Sequence, residues 1–298
     1  MPVIEGGQPT HTTLECRNIP ASLRFYGEAL GLRTQQTSEH AGILGGTNQA
    51  YTACVRRPDP APQPLLNYYA RPLRDAAVVD AAHSRLSAAR EQYAIQEITT
   101  PAREDPAKFG VGTYGFYLKD ADGNWWRVEE NDGPFGPQEL PADSNGSAAL
   151  LPPGPISYVT LECREIEPTM RFYREFLGLQ VEQRAPHYFV THGGPWHNLI
   201  VVAVGDRVAE QPLGNHHGIT VWTDRAQVDA LHRAAEAQQE HYELRRVMPV
   251  THQHSSYSFY FQDRDTNWWE VQLWDDYDDP WVRTARGHRY YAAKERAQ

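Results

Sequence analysis

The stretch YSFYFQDRDTNWWEVQLW (257–274) decides the fold. Two aromatic-rich runs flank a polar turn at 263–267, and residues of this kind at this density read as paired, buried β-strands rather than a helix. One carboxylate, Glu270, sits in the second run between Trp269 and Val271. Buried there, it needs a cation, hydrogen-bond donors or a shifted pKa; on an edge strand facing water it needs none of these.

The same stretch occurs earlier. GTYGFYLKDADGNWWRVEEN (112–131) matches SSYSFYFQDRDTNWWEVQLW (255–274) at a constant offset of 143. Tyr114, Phe116, Tyr117, Asn124, Trp125, Trp126 and Val128 recur as Tyr257, Phe259, Tyr260, Asn267, Trp268, Trp269 and Val271, but Arg127 stands opposite Glu270. A second pair, TLECRNIPASLRFYGEALGLRT (13–34) and TLECREIEPTMRFYREFLGLQV (160–181), repeats at an offset of 147 and sets His11 opposite Tyr158. The chain is a tandem duplication: shared residues report scaffold, and differences mark where function resides.

Working outward, strand and helix patterns alternate. Residues 10–16 predict a strand, 19–30 an amphipathic helix closed by Gly31, and 34–37, 41–44 and 50–56 three further strands. After the stiff connector RPDPAPQP (57–64), a second unit follows. It has a strand at 65–70, a helix at 75–92 and strands at 94–99, 112–119 and 124–130. Two more units, 156–204 and 213–274, repeat the first two, the last with its helix at 226–238. The expectation is an α+β chain of four βαβββ modules in two domains, 1–133 and 156–298. Residues 134–155, rich in Gly, Pro, Ser and acid, are the linker, and the tail 275–298 has no counterpart.

Of the 298 residues, 40% are hydrophobic and 22% charged, which suits a globular protein with ample core. A formal charge of -10 argues against nucleic-acid or anionic-membrane partners. No apolar run approaches a membrane span, and the start MPVIEGGQPT lacks a secretory signal's basic and apolar regions. Cys16 and Cys163 occupy equivalent repeat positions and read as small apolar residues, so a reduced, cytoplasmic setting is expected.

Four βαβββ units, FY…LGL after the first strand and D-x-x-N-x-x-E near the last resemble the vicinal oxygen chelate superfamily, over 10–274. That superfamily includes glyoxalase I, bleomycin-resistance proteins and type I extradiol dioxygenases. The resemblance implies paired units forming incompletely closed β-barrels around a divalent metal, with ligands from first strands and from the last strand. At those positions unit one offers His11, unit three Tyr158, unit two Asn67 or Tyr68, and unit four His216 and His217. The last-strand carboxylate is Glu270 in unit four and Arg127 in unit two. Units one and four therefore hold the set. The family's usual ligand is the second His of such a pair, so His11, His217 and Glu270 are the expected metal ligands. Two imidazoles and a carboxylate leave positions open on iron(II), or manganese(II), for substrate and dioxygen.

The ligand pattern is closest to that of hydroquinone ring-cleaving dioxygenases, which implies a small dihydroxylated aromatic substrate, catechol or hydroquinone. Tyr260, ten residues before Glu270, would hydrogen-bond a substrate oxygen, though Tyr117 at the same repeat position also reads as scaffold. His216, at the rim, and His252 and His254 fall where the family places acid–base groups. Thr13 and Trp222 are the expected substrate contacts, His197 would be idle, and a homo-oligomer is expected. The alternative is a glyoxalase-like isomerase, lyase or conjugating enzyme, whose second carboxylate is missing from residues 46–57. A metal-free resistance-type binding protein would have no reason to keep the three ligands.

Overall fold

The computed structural model describes residues 2–5, 7–45, 51–105, 111–135, 149–192, 198–253 and 256–274. The tail after 274, most of the linker, His197 and His254 lie outside them. Unit one contains β1 (Gln8–Cys16), α1 (Ile19–Arg24), β2 (Thr34–Gln36), β3 (Ala41–Gly45) and β4 (Tyr51–Arg56). Unit two contains β5 (Tyr68–Leu73), α2 (Ala76–Ala88), β6 (Glu97–Ile98), β7 (Ala102–Arg103), β8 (Tyr114–Lys119) and β9 (Trp125–Glu130). Unit three contains β10 (Val159–Cys163), α3 (Ile166–Arg171), β11 (Gln180–Ala185), β12 (Tyr188–His192) and β13 (Asn198–Ala203). Unit four contains β14 (His217–Thr220), α4 (Arg225–Ala237), β15 (Arg246–Val247), β16 (Thr251–Gln253), β17 (Ser256–Gln262) and β18 (Trp268–Trp274).

The helices start where short polar side chains cap them. Asn18, Asp75 and Asp224 accept from the backbone N–H of Ala21, Val78 and Gln227. The helix expected at 19–30 is regular only to Arg24. Beyond it the turn widens, and the Leu30 N–H reaches back five residues to the Phe25 carbonyl (3.3 Å); its repeat twin runs from Leu177 to Phe172 (3.1 Å). Gly31, at φ +67°, closes the segment as expected. The strand expected at 65–70 starts later, at Tyr68, because the Asn67 N–H turns back onto the Pro64 carbonyl.

Two open nine-stranded sheets result. The first runs β15-β17-β18-β14-β1-β4-β3-β2 with β16 beside β17; the second runs β11-β12-β13-β10-β5-β9-β8-β6 with β7 beside β8. Each joins one unit from each half of the chain: one and four in the first sheet, two and three in the second. The seams are the antiparallel pairs β1–β14 and β5–β10. The N-terminal segment and the end of the linker brace the first helical segments of units three and one. The N–H groups of Val3 and Ile4 bond the carbonyls of Glu175 and Phe176, and those of Leu150 and Leu151 bond Glu28 and Ala29.

The shared D-x-D-x-N turn is scaffold. One carboxylate oxygen of Asp120 accepts two turn N–H groups, of Asp122 and Asn124 (both 2.9 Å), and the other accepts the Trp126 indole (3.2 Å). Asp263 repeats this with Asp265, Asn267 and Trp269. Trp126 and Trp269 are fully buried against the helices, which is why both copies keep them. Cys16, Cys54 and Cys163 are buried free thiols. No helix among the described residues is long and apolar enough to cross a membrane.

Candidate metal centre

Alternation along β18 sends Trp269 into the helix-side core and Glu270 to the opposite, inner face of the first sheet. In register, Glu270 lies beside Gly218 of β14, and Gly218 lies beside His11 of β1. The glycine between them lets the outer two meet, because a Cβ there would collide with the His11 ring. His216, two residues before Gly218, shares its face. The Nε2 atoms of His11 and His216 stand 3.3 and 3.4 Å from Glu270 Oε2. All three residues are buried, and one ligand atom from each lies within 4.8 Å of the others.

The hydrogen bond on the far side of the His216 ring fits a cation beside its Nε2. A carbonyl only accepts, so the 2.9 Å contact between His216 Nδ1 and Leu213 O places the ring proton on Nδ1. In neutral His216, Nε2 is then a lone pair facing a carboxylate oxygen, an arrangement that a metal would satisfy. Burial acts to raise the Glu270 pKa, but hydrogen bonds from His11 and, when its ring is charged, from His216 outweigh it and hold the carboxyl well below its usual range. Metal bonds of about 2.1 Å put neighbouring ligand atoms about 3 Å apart, close to the separations seen here. The residues fit a divalent ion.

Tyr260 faces Glu270 across β17 and β18, and its ring meets that of His216 edge-on at 5.0 Å. Burial first, and then the Glu270 carboxylate, push its hydroxyl well above the ordinary tyrosine range, so it stays a donor. The Gln253 side-chain amide donates to the same hydroxyl (3.1 Å).

His217 does not join the cluster. It registers with Trp269, lies tilted against that indole with ring centres 5.6 Å apart, and faces the core, so the expectation is corrected: the first histidine, not the second, meets Glu270. The same geometry takes His216 from the rim into the cluster with His11 and Glu270. Thr13 holds His216 in place: its hydroxyl accepts the His216 N–H (2.9 Å) and lies 3.1 Å from Nδ1. His252 is exposed on β16 in register with Tyr257, on the face away from Tyr260. Trp222 is half-buried, six residues past His216 and beyond the end of β14. Gln253 and Gln272 escaped the sequence reading, although counting by twos from Glu270 would have put Gln272 on the same face.

The second sheet shows what replaces the cluster. Tyr158 and Arg127 stand where His11 and Glu270 stand, and Tyr68 where His216 stands. The Arg127 guanidinium pairs with Glu129 (2.9 Å) and Glu104 (3.2 Å) and lies 4.6 Å from the Tyr117 ring centre. Tyr158 donates to Glu129 (2.6 Å) and Tyr117 to Glu104. Around them Tyr68, Trp125, Tyr188, Val190, Ile200 and Val202 pack together.

The profile of the "Glyoxalase/Bleomycin resistance protein/Dioxygenase superfamily" matches residues 8–128 and 156–271. No curated protein sequence matches the chain. Among solved structures, glyoxalase I from maize (Zea mays) is similar at 15% identity and a TM-score of 0.58, covering 94% of this chain and 95% of its own. A provisionally assigned dioxygenase from Bacillus subtilis is similar at 14% identity and a TM-score of 0.58, covering 90% and 85%. At these identities the likeness establishes the fold.

Proposed function

Because the chain belongs to the glyoxalase/bleomycin resistance protein/dioxygenase superfamily, we propose that His11, His216 and Glu270 hold iron(II), or manganese(II), and that the protein is a ring-cleaving dioxygenase. Its substrates would be dioxygen and a small dihydroxylated aromatic, a catechol or hydroquinone. The observation that carries this reading is the donor set itself: two imidazole nitrogens and one carboxylate oxygen converging at a buried point. Such a set leaves adjacent positions open for two further ligands. The glyoxalase-like alternative calls for a second carboxylate, and β4 of unit one carries none.

The bound ion would supply Lewis acidity and, as iron(II), one-electron chemistry. The chain's own residues do the rest. His11 on β1, Glu270 on β18 and His216 immediately before β14 fix the reacting centre, so it moves little relative to the sheet. Tyr260 donates a hydrogen bond to a substrate oxygen. Its raised pKa suits it to orienting rather than to taking a proton. Gln253 donates to the Tyr260 oxygen and so leaves the phenolic proton directed away from β16.

Oxygen uptake by protein reconstituted anaerobically with iron(II) tests the class. One oxygen consumed per aromatic ring is expected, with no turnover after zinc replacement. Full activity with zinc under argon would move the protein to the isomerase or lyase class. Tyr260→Phe should keep its metal and lose about 10²-fold in turnover, the usual cost of deleting one aimed donor. Unchanged turnover would make Tyr260 part of the scaffold, like Tyr117.

A further inference from the structure

Resting on the metal reading above, a second row of side chains goes beyond it. Gln272 follows Glu270 by two residues on β18, so both point to the inner face, and it is 1% exposed. Its side-chain nitrogen lies 3.2 Å from His11 Nδ1 and 3.1 Å from the Thr220 hydroxyl. Thr220 in turn lies 2.7 Å from the Thr10 hydroxyl, and either of these two can donate. Thr10 is 7% exposed and Thr220 fully buried, so the direction of each bond matters to its neighbours.

As placed, Gln272 offers an N–H to His11 Nδ1. That nitrogen must then accept, and the ring proton sits on Nε2, facing Glu270. This pattern suits the cluster without an ion. To bind one through Nε2, His11 must carry its proton on Nδ1, and Nδ1–H needs an acceptor closer than the Thr10 hydroxyl, which lies 3.4 Å away. Amide oxygen and nitrogen are nearly equal in size, so a half-turn of the Gln272 amide supplies one without moving the backbone. The rest of the chain can follow: Thr220 then donates to the amide oxygen, and Thr10 donates to Thr220. Every bond survives with its direction reversed.

We infer that Gln272 is a positioning residue that selects the His11 tautomer, and that the chain Thr10–Thr220–Gln272–His11 reverses its direction when a metal enters. Glutamine suits the task because it offers both polarities. The repeat partner, Glu129, is an acceptor only and takes the Tyr158 hydroxyl at the corresponding place. Leu or Met at 272 would offer neither polarity. Glu would be locked in the metal-bound polarity.

Cobalt(II) titration of the full chain tests this, with near-ultraviolet circular dichroism confirming the fold of each variant. Gln272→Met should weaken cobalt binding about 10–100-fold, the usual cost of losing a partner behind a metal-bound histidine. Gln272→Glu should bind cobalt at least as tightly as the wild type. In imidazole ¹H–¹⁵N spectra, His11 should carry its proton on Nε2 without metal and on Nδ1 when loaded with zinc. Wild-type affinity in Gln272→Met, in a protein where His11→Ala abolishes binding, would overturn the role of Gln272 alone. Absence of cobalt binding by the wild type would overturn the metal reading and this inference together.

Discussion

His216→Ala is expected to purify without metal and without activity, while His217→Gln keeps both. The two residues are neighbours, but strand alternation sends them to opposite faces. The register of β14 against β18 sets Gly218 beside Glu270, and His217 beside Trp269. Losing His216 would remove one of the proposed ligands, so metal affinity should fall by more than the about 10–100-fold that a supporting residue costs. Changing His217 alters packing against Trp269, which should lower the melting temperature but leave metal content near the wild-type level. Metal analysis after anaerobic purification decides it. A metal-free His217→Gln beside a loaded His216→Ala would mean that β14 pairs one residue out of register.

That assignment marks the limit of what the sequence revealed. The duplication was legible because aromatic strands and D-x-D-x-N turns are scaffold, and both copies need them to fold. The pairing of units one and four was legible too, since His11 and Glu270 survive where Tyr158 and Arg127 replace them. Which of two adjacent histidines faces inward was not legible, because it depends on the register of strands remote in sequence. A one-residue shift exchanges the faces. Thr13 was noticed but cast as a substrate contact; its bonds to His216 follow from the β1–β14 seam, which no local pattern encodes. His252 was misplaced for the same reason: pairing of β16 with β17 turns Gln253, not His252, toward Tyr260.

Expressed separately, residues 1–133 and 156–298 are each expected to bind no stoichiometric metal, and together to recover it. His11 lies in the first piece, and His216 and Glu270 in the second. The dependence goes deeper than the ligands. Without its partner, each half leaves two inner strands unpaired along their seams, β1 and β5 in one and β10 and β14 in the other. An unpaired inner strand exposes a row of N–H and C=O groups and invites association with another chain. The brace from Val3 and Ile4 to Glu175 and Phe176 would be lost as well. Isolated halves should therefore aggregate or self-associate, and co-expression should restore a monodisperse, metal-loaded complex. A monomeric, cooperatively melting 1–133 fragment would show that unit one can pair with unit two instead.

The guanidinium in the second sheet gives the two halves of the molecule different relations to their surroundings. Arg127 answers Glu129 and Glu104 with a charge that is part of the polypeptide. No chelator can withdraw it and no dilution can deplete it. The cation proposed for the first sheet comes from solution, so what it adds to stability rises and falls with its free concentration, by RT ln(1 + [L]/Kd). The charge balance of one sheet is then independent of metal supply, while that of the other would follow it.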